Sequence, residues 1–141
     1  MELIAKSAVD IVSLLRGGEI SSDDCLDALE KQINRVDGEI NALPTLCLQR
    51  AREAGRQQAG SRTVLGGIPV AIKDLTDVAG VTTTYGCSLY RDHQPAQSDF
   101  LVENLEANGA LVYAKSNSPE FGSGGNTFND VFAATRNPYD I

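Results

Sequence analysis

Apolar residues recur at intervals of three and four through the first 60 residues, the spacing that places them on one side of a helix. Ser7 and Ser21 each stand three residues before an aspartate, which is the capping-box pattern at the start of a helix. Glycines follow the apolar stripes and favour helix ends there. The pattern therefore predicts three helices, at about residues 7–17, 21–38 and 48–59.

Beyond residue 60 the apolar positions gather into short, dense, β-branched runs. Ile68 to Ile72 and Ala110 to Ala114 predict two buried strands, and residues 98–108 between them have the pattern of a helix. A strand, a helix and a second strand in this order predict a parallel pair in an α/β sheet. Residues 115–129 are rich in Gly, Ser and Asn, which predicts a long loop after the second strand, where sites are often found.

The change of pattern predicts how the chain is organised. Its 141 residues suit one domain. We expect residues 1–141 to form a helical segment over 1–60 followed by the start of a sheet core over 61–141.

Composition narrows the classes of function. A net charge of −7 without a basic cluster argues against nucleic-acid binding and against docking on anionic membranes. The apolar clusters are too short for a membrane span. Three widely spaced cysteines indicate free thiols and a cytoplasmic location. A single histidine, His93, cannot build a usual zinc site, so we expect no metal and no cofactor.

Lys73 directly follows the first apolar run, where strand alternation puts Pro69, Ala71 and Lys73 on one face. Burial lowers the pKa of a lysine, and a neutral lysine can accept a proton. The alternative that spacing leaves open is a lysine at a strand end, with an ammonium that reaches solvent or pairs with Asp74. The pattern alone does not separate a catalytic lysine from a structural one.

Five segments of the chain, in order, resemble the amidase-signature family, and together they cover about residue 65 to the end. They are residues 67–74, 80–88, 99–110, 115–122 and 136–140. The resemblance implies the N-terminal part of that family's fold, with a helical N-terminus and a mixed, largely parallel sheet flanked by helices. It also implies that Lys73 is the catalytic lysine. Further, it implies that Ser123, Gly124 and Asn126 bind the substrate or brace the active-site loop.

The resemblance implies a Ser–cisSer–Lys mechanism. In that mechanism a neutral lysine deprotonates a serine held by a cis peptide bond, and that serine relays the proton from a second serine, which attacks the amide carbonyl. The family's Gly-Gly-Ser-Ser-Gly signature, which carries these serines, directly follows its Asn-Pro-Tyr-Asp stretch, whereas this chain stops at Ile141. We therefore expect an N-terminal portion that is inactive alone. Its partner would be a complementing C-terminal portion or a second copy of the chain.

Three functions stay open. The first is an amidase that hydrolyses a carbon–nitrogen bond, other than a peptide bond, in a small carboxamide. The second is an A-subunit-like component of a tRNA-dependent amidotransferase, and the third is a non-catalytic truncated or split piece. Ser118 stands where the amidotransferase component has Met, and the later loop lacks its Ser-Ser-Thr-Glu run, so the sequence favours the amidase.

Overall fold

The computed structural model describes residues 3–141, so the first two positions of the predicted helical segment lie outside the described residues. The α-helices within this range are α1 (Ala8–Gly17), α2 (Ser22–Ile40), α3 (Leu48–Gln57) and α4 (Phe100–Ala107). The strands are β1 (Thr45–Leu46), β2 (Pro69–Lys73) and β3 (Leu111–Ser116). The four predicted helices and both predicted strands are therefore present. Across residues 3–141, no helix has the length and apolarity needed to cross a membrane.

The helix starts follow the predicted caps. The Ser21 hydroxyl accepts the backbone N–H of Asp24, and the Asp24 carboxylate accepts the N–H of Ser21, which completes a capping box at α2. The end predicted at Gly38 is wrong, because α2 continues to Ile40 and stops at Asn41, which adopts a left-handed conformation with φ 58°. Asp37 fixes this end, since its carboxylate accepts the N–H groups of the two residues after Asn41.

The sheet has the order β1-β3-β2, with β2 and β3 parallel as predicted and β1 antiparallel to β3. The sequence did not predict β1, because a two-residue strand is too short to show alternation. Helices flank this mixed sheet, and the predicted α/β fold class is confirmed.

An irregularity in β3 decides which side chains face which layer. Val70 pairs with Val112 and Ala71 pairs with Ala114, so Tyr113 is an extra residue without a partner on β2. The extra residue is a β-bulge. It leaves both Tyr113 and Ala114 in the cluster on one face of the sheet and returns the next residue, Lys115, to the other face.

Two apolar clusters lie on the two faces of the sheet. On one face α2 and α3 pack against β3, and the buried residues there are Leu26, Ile33, Ala51, Leu111, Tyr113 and Ala114. On the other face α4 and the loop after β2 cover the sheet, with Ile72, Val78, Val81, Val102 and Val112 buried. The sheet is therefore covered on both faces, as a parallel pair requires.

Candidate active site

Lys73 is the last residue of β2 and pairs in register with Ser116, the last residue of β3. Because the two strands are parallel, their carboxyl ends meet at one edge of the sheet, where ligands of α/β proteins commonly bind. The Asp74 N–H donates to the carbonyl oxygen of Ser116 at 2.9 Å and so links the C-terminal ends of β2 and β3. The Lys73 side chain is exposed and forms no ion pair with Asp74, so residues 3–141 do not enclose its ammonium.

Asp74 turns its carboxylate into the core, where it is 1% exposed. Both carboxylate oxygens lie 3.2 Å from the backbone nitrogen of Thr84, and the Thr84 hydroxyl donates to Oδ2 at 2.5 Å. The Asp74 carboxylate therefore joins the turn after β2 to the segment around residue 84 and so stabilises the fold.

Lys115 is a fully buried lysine on the same side of the sheet as Ile72. Its Nζ donates to Oγ1 of Thr83 at 2.6 Å and to the carbonyl oxygen of Thr76 at 2.9 Å, and it lies 3.4 Å from Oδ1 of Asp74. Burial lowers the pKa of Lys115, and the charge of Asp74 opposes that change. Sequence reasoning missed this residue, although it directly follows an apolar run just as Lys73 does.

The segment around Gly86 holds the loop that follows β3. A Cβ atom on Gly86 would lie 3.0 Å from backbone atoms of Ser118 and Glu120, and its φ of 67° also favours glycine. The N–H of Phe121 donates to the carbonyl oxygen of Tyr85 at 2.7 Å. A Cβ atom on Gly122 would meet the Leu75 side chain, which lies two residues beyond Lys73. The loop after β3 therefore lies beside the C-terminal end of β2.

Ser123, Gly124 and Asn126 follow directly on this loop and are exposed. The Ser123 N–H donates to the Glu120 carbonyl oxygen at 2.9 Å. Within residues 3–141 the side chains of Ser123 and Asn126 have no hydrogen-bond partner, and a cavity of about 790 Å³ lies elsewhere, between the α1–α2 connection and the end of α3. Their role in substrate binding stays a prediction.

Amide side chains anchor the rest of the loop. Nδ2 of Asn129 donates to Oδ1 of Asn117 at 2.7 Å and to the carbonyl oxygen of Ser118 at 2.8 Å. Nδ2 of Asn117 donates to the hydroxyl of Thr135 at 3.0 Å, and that hydroxyl donates to the carbonyl oxygen of Asn41 at 2.6 Å. These contacts tie the loop to the end of α2, so Asn117 braces the loop.

Four rings, those of Tyr85, Tyr90, His93 and Phe121, pack together beside the loop. The Tyr85 hydroxyl donates to Oδ1 of Asp77 at 2.6 Å, and burial, followed by this contact, raises the pKa of Tyr85 to about 12. Tyr85 therefore keeps its proton at neutral pH, and its ring packs against the other three. Within residues 3–141 no group of three His, Cys, Asp or Glu side chains is arranged to hold a metal.

Comparison with known proteins gives consistent matches. A family model described as Amidase matches residues 24–141. The A subunit of the glutamyl-tRNA(Gln) amidotransferase of Thermoanaerobacter pseudethanolicus is 34% identical over all of this chain and 30% of its own length, and that of Halothermothrix orenii is 32% identical over all of this chain and 29% of its own. The chain thus spans about a third or less of the length of the curated relatives it matches.

Solved structures agree with these sequence matches. A bacterial aryl acylamidase superposes with a TM-score of 0.88 at 28% identity, over 96% of this chain and 30% of its own. A 6-aminohexanoate cyclic dimer hydrolase gives a TM-score of 0.88 at 26% identity, over 96% of this chain and 28% of its own.

Proposed function

The chain belongs to the amidase family, and on that premise we propose that Lys73 is the base of a site that hydrolyses a carbon–nitrogen bond in a small carboxamide. The observation that carries the proposal is the position of Lys73, which ends β2 at the edge of the sheet where the loop of residues 117–126 also lies. The ammonium forms no ion pair among residues 3–141, so it remains available to a neighbouring hydroxyl group.

In the proposed mechanism Lys73 in its neutral form takes the proton of a bridging serine, which takes the proton of a nucleophilic serine. The nucleophile attacks the amide carbonyl, ammonia or an amine leaves with a proton, and water then hydrolyses the acyl-enzyme. A hydroxyl needs such a base, because it is a weak nucleophile until its proton is removed. Ser123, Gly124 and Asn126 are proposed to contact the substrate from the loop.

Both serines of this mechanism are proposed to come from outside residues 1–141. For Ser118 the structure supports this, because the side chain is fully buried and not open to a substrate. The length of the relatives supports it as well, since the chain covers about 30% of them. A complementing C-terminal portion is therefore the proposed partner, and the predicted cytoplasmic location stays a prediction.

The proposal is tested by ammonia release from a panel of small carboxamides, with the chain alone and after mixing with a C-terminal portion that carries the serine signature. We expect turnover only in the mixture, and a loss of about 10³-fold in Lys73→Ala, because general base catalysis is worth that much. Lys31→Ala, at an exposed position of α2, is the matched control and keeps full activity. Turnover by the chain alone, or turnover that survives Lys73→Ala, contradicts the proposal.

A second candidate is the same amide cleavage in an amidotransferase component that delivers ammonia to a partner. It is supported by curated relatives that are named as the A subunit of glutamyl-tRNA(Gln) amidotransferase. The two candidates differ in substrate and in dependence on other subunits. Glutamine hydrolysis that requires a partner protein favours the second candidate, whereas turnover of other carboxamides without one favours the first.

A further inference from the structure

Asp74 and Lys115 form a buried ion pair next to Lys73. Asp74 is its neighbour in sequence and an obvious counter-ion for its ammonium, yet the Asp74 carboxylate is 1% exposed while Lys73 is exposed. The carboxylate instead lies 3.4 Å from the Nζ of Lys115 and accepts the N–H and the hydroxyl of Thr84. The Asp74 carboxylate thus pairs with Lys115, which is distant in sequence, and not with its neighbour Lys73.

The surroundings of Lys115 leave Asp74 as its main ionic partner. The charged and titratable groups that face it are Asp74 and Asp77 on the segment after β2 and the Cys47 thiol after β1. The Asp77 carboxylate accepts the Tyr85 hydroxyl at 2.6 Å. Among the described residues, Asp74 is the only carboxylate within 4.0 Å of the Lys115 ammonium, and none lies that close to Lys73.

We propose that Lys115 holds the Asp74 carboxylate inside the core and thereby keeps it from pairing with Lys73. This inference rests on the proposed function, in which Lys73 must be able to lose its proton. A carboxylate close to Lys73 would favour the ammonium form, which cannot act as a base. Lys115 is a positioning residue, because it contacts Asp74 and Thr83 and not the reacting atoms.

Competitive acylation of Lys73 across a pH series, followed by mass spectrometry of the 141-residue chain, reports its protonation without any catalysis. In Lys115→Met the carboxylate loses its cation, and we expect the pH midpoint of Lys73 labelling to rise by about one unit. In the double variant Lys115→Met with Asp74→Asn, both charges are removed, and the midpoint returns to the wild-type value. Lys31→Met is the matched control and leaves the midpoint unchanged.

An unchanged midpoint in folded Lys115→Met, with folding checked by circular dichroism, overturns the inference. Where Lys115→Met does not fold, the double variant decides by itself. A midpoint equal to that of the wild type supports the inference. A lower midpoint refutes it, because the Asp74 carboxylate would then already interact with Lys73 in the wild-type protein. Failure of the proposed function has a different signature, which is amide cleavage that survives Lys73→Ala in the reconstituted mixture.

Discussion

At the scale of single residues, two buried hydroxyl groups near the loop differ in their hydrogen bonding. The Ser118 hydroxyl oxygen has no partner among the described residues, although the side chain is fully buried. The Thr84 hydroxyl, equally buried, donates to Asp74 and accepts the N–H of Gly86 at 3.1 Å. A buried polar group without a partner loses its hydration and gains nothing in return, so these two residues should contribute to stability with opposite signs.

We expect Ser118→Ala to leave the free energy of unfolding unchanged or to raise it by up to about 1 kcal/mol, because it removes an unpaired buried hydroxyl. Thr84→Val is the contrasting variant, and it should lower the free energy of unfolding by about 1–3 kcal/mol, since it strips a partner from a buried carboxylate. Urea unfolding followed by circular dichroism measures both. Equal losses in the two variants would show that the Ser118 hydroxyl has a partner after all.

At the scale of elements, sequence patterns predicted the helices and strands that are determined by residues close together in the chain. The capping boxes and apolar stripes predicted where α1 and α2 start, and the β-branched runs predicted β2 and β3. β1 escaped prediction because its two residues become a strand only by pairing with β3. The motif singled out Lys73, whose catalytic role stays a prediction. The buried position of Lys115 depends on Thr76, Thr83 and Asp74, which come near it only in the folded chain.

The capping box of α2 gives a test at this scale. Ser21→Ala removes a side-chain acceptor from the first turn of the helix and should lower the free energy of unfolding by about 1 kcal/mol. Ser13→Ala, at an exposed interior position of α1, is the control and should be neutral or slightly stabilising, because Ala favours helix. Thermal unfolding of the two variants beside the wild type makes the comparison. A loss in Ser13→Ala as large as that in Ser21→Ala would contradict the assignment of the cap.

At the scale of the whole molecule, we expect the backbone amides of β3 to be the best protected from hydrogen exchange. It is hydrogen-bonded to β1 on one side and to β2 on the other, and its first five residues are buried. By contrast, α1 buries only Ile11 within its ten residues, and residues 120–126 are exposed. Free energies of local opening follow burial and hydrogen bonding, so the chain should open from its periphery inward.

Hydrogen exchange measured by mass spectrometry should therefore show the slowest amides in β3 and fast exchange in α1 and in residues 120–126. The expected order follows because an amide of β3 exchanges only when the sheet opens, whereas α1 can fray alone. Peptides from α3, which packs on the sheet through the fully buried Ala51, serve as an internal reference of intermediate protection. Protection of α1 equal to that of β3 would contradict this order.

The bulge at Tyr113 decides on which side of the sheet the ammonium of Lys115 is buried. A regular strand built from the same residues, with Tyr113 and Ala114 on opposite faces, would carry Lys115 across the sheet, to the side where Leu26 and Ala51 form an apolar layer without a carboxylate. The same amino acids, paired without the bulge, would leave Asp74 without its cation and bury a charge among hydrocarbon side chains. Deleting Tyr113 would remove the bulge and still leave Ala114 opposite Ala71 and Lys115 opposite Ile72, so the side on which Lys115 lies depends on how β3 pairs with β2.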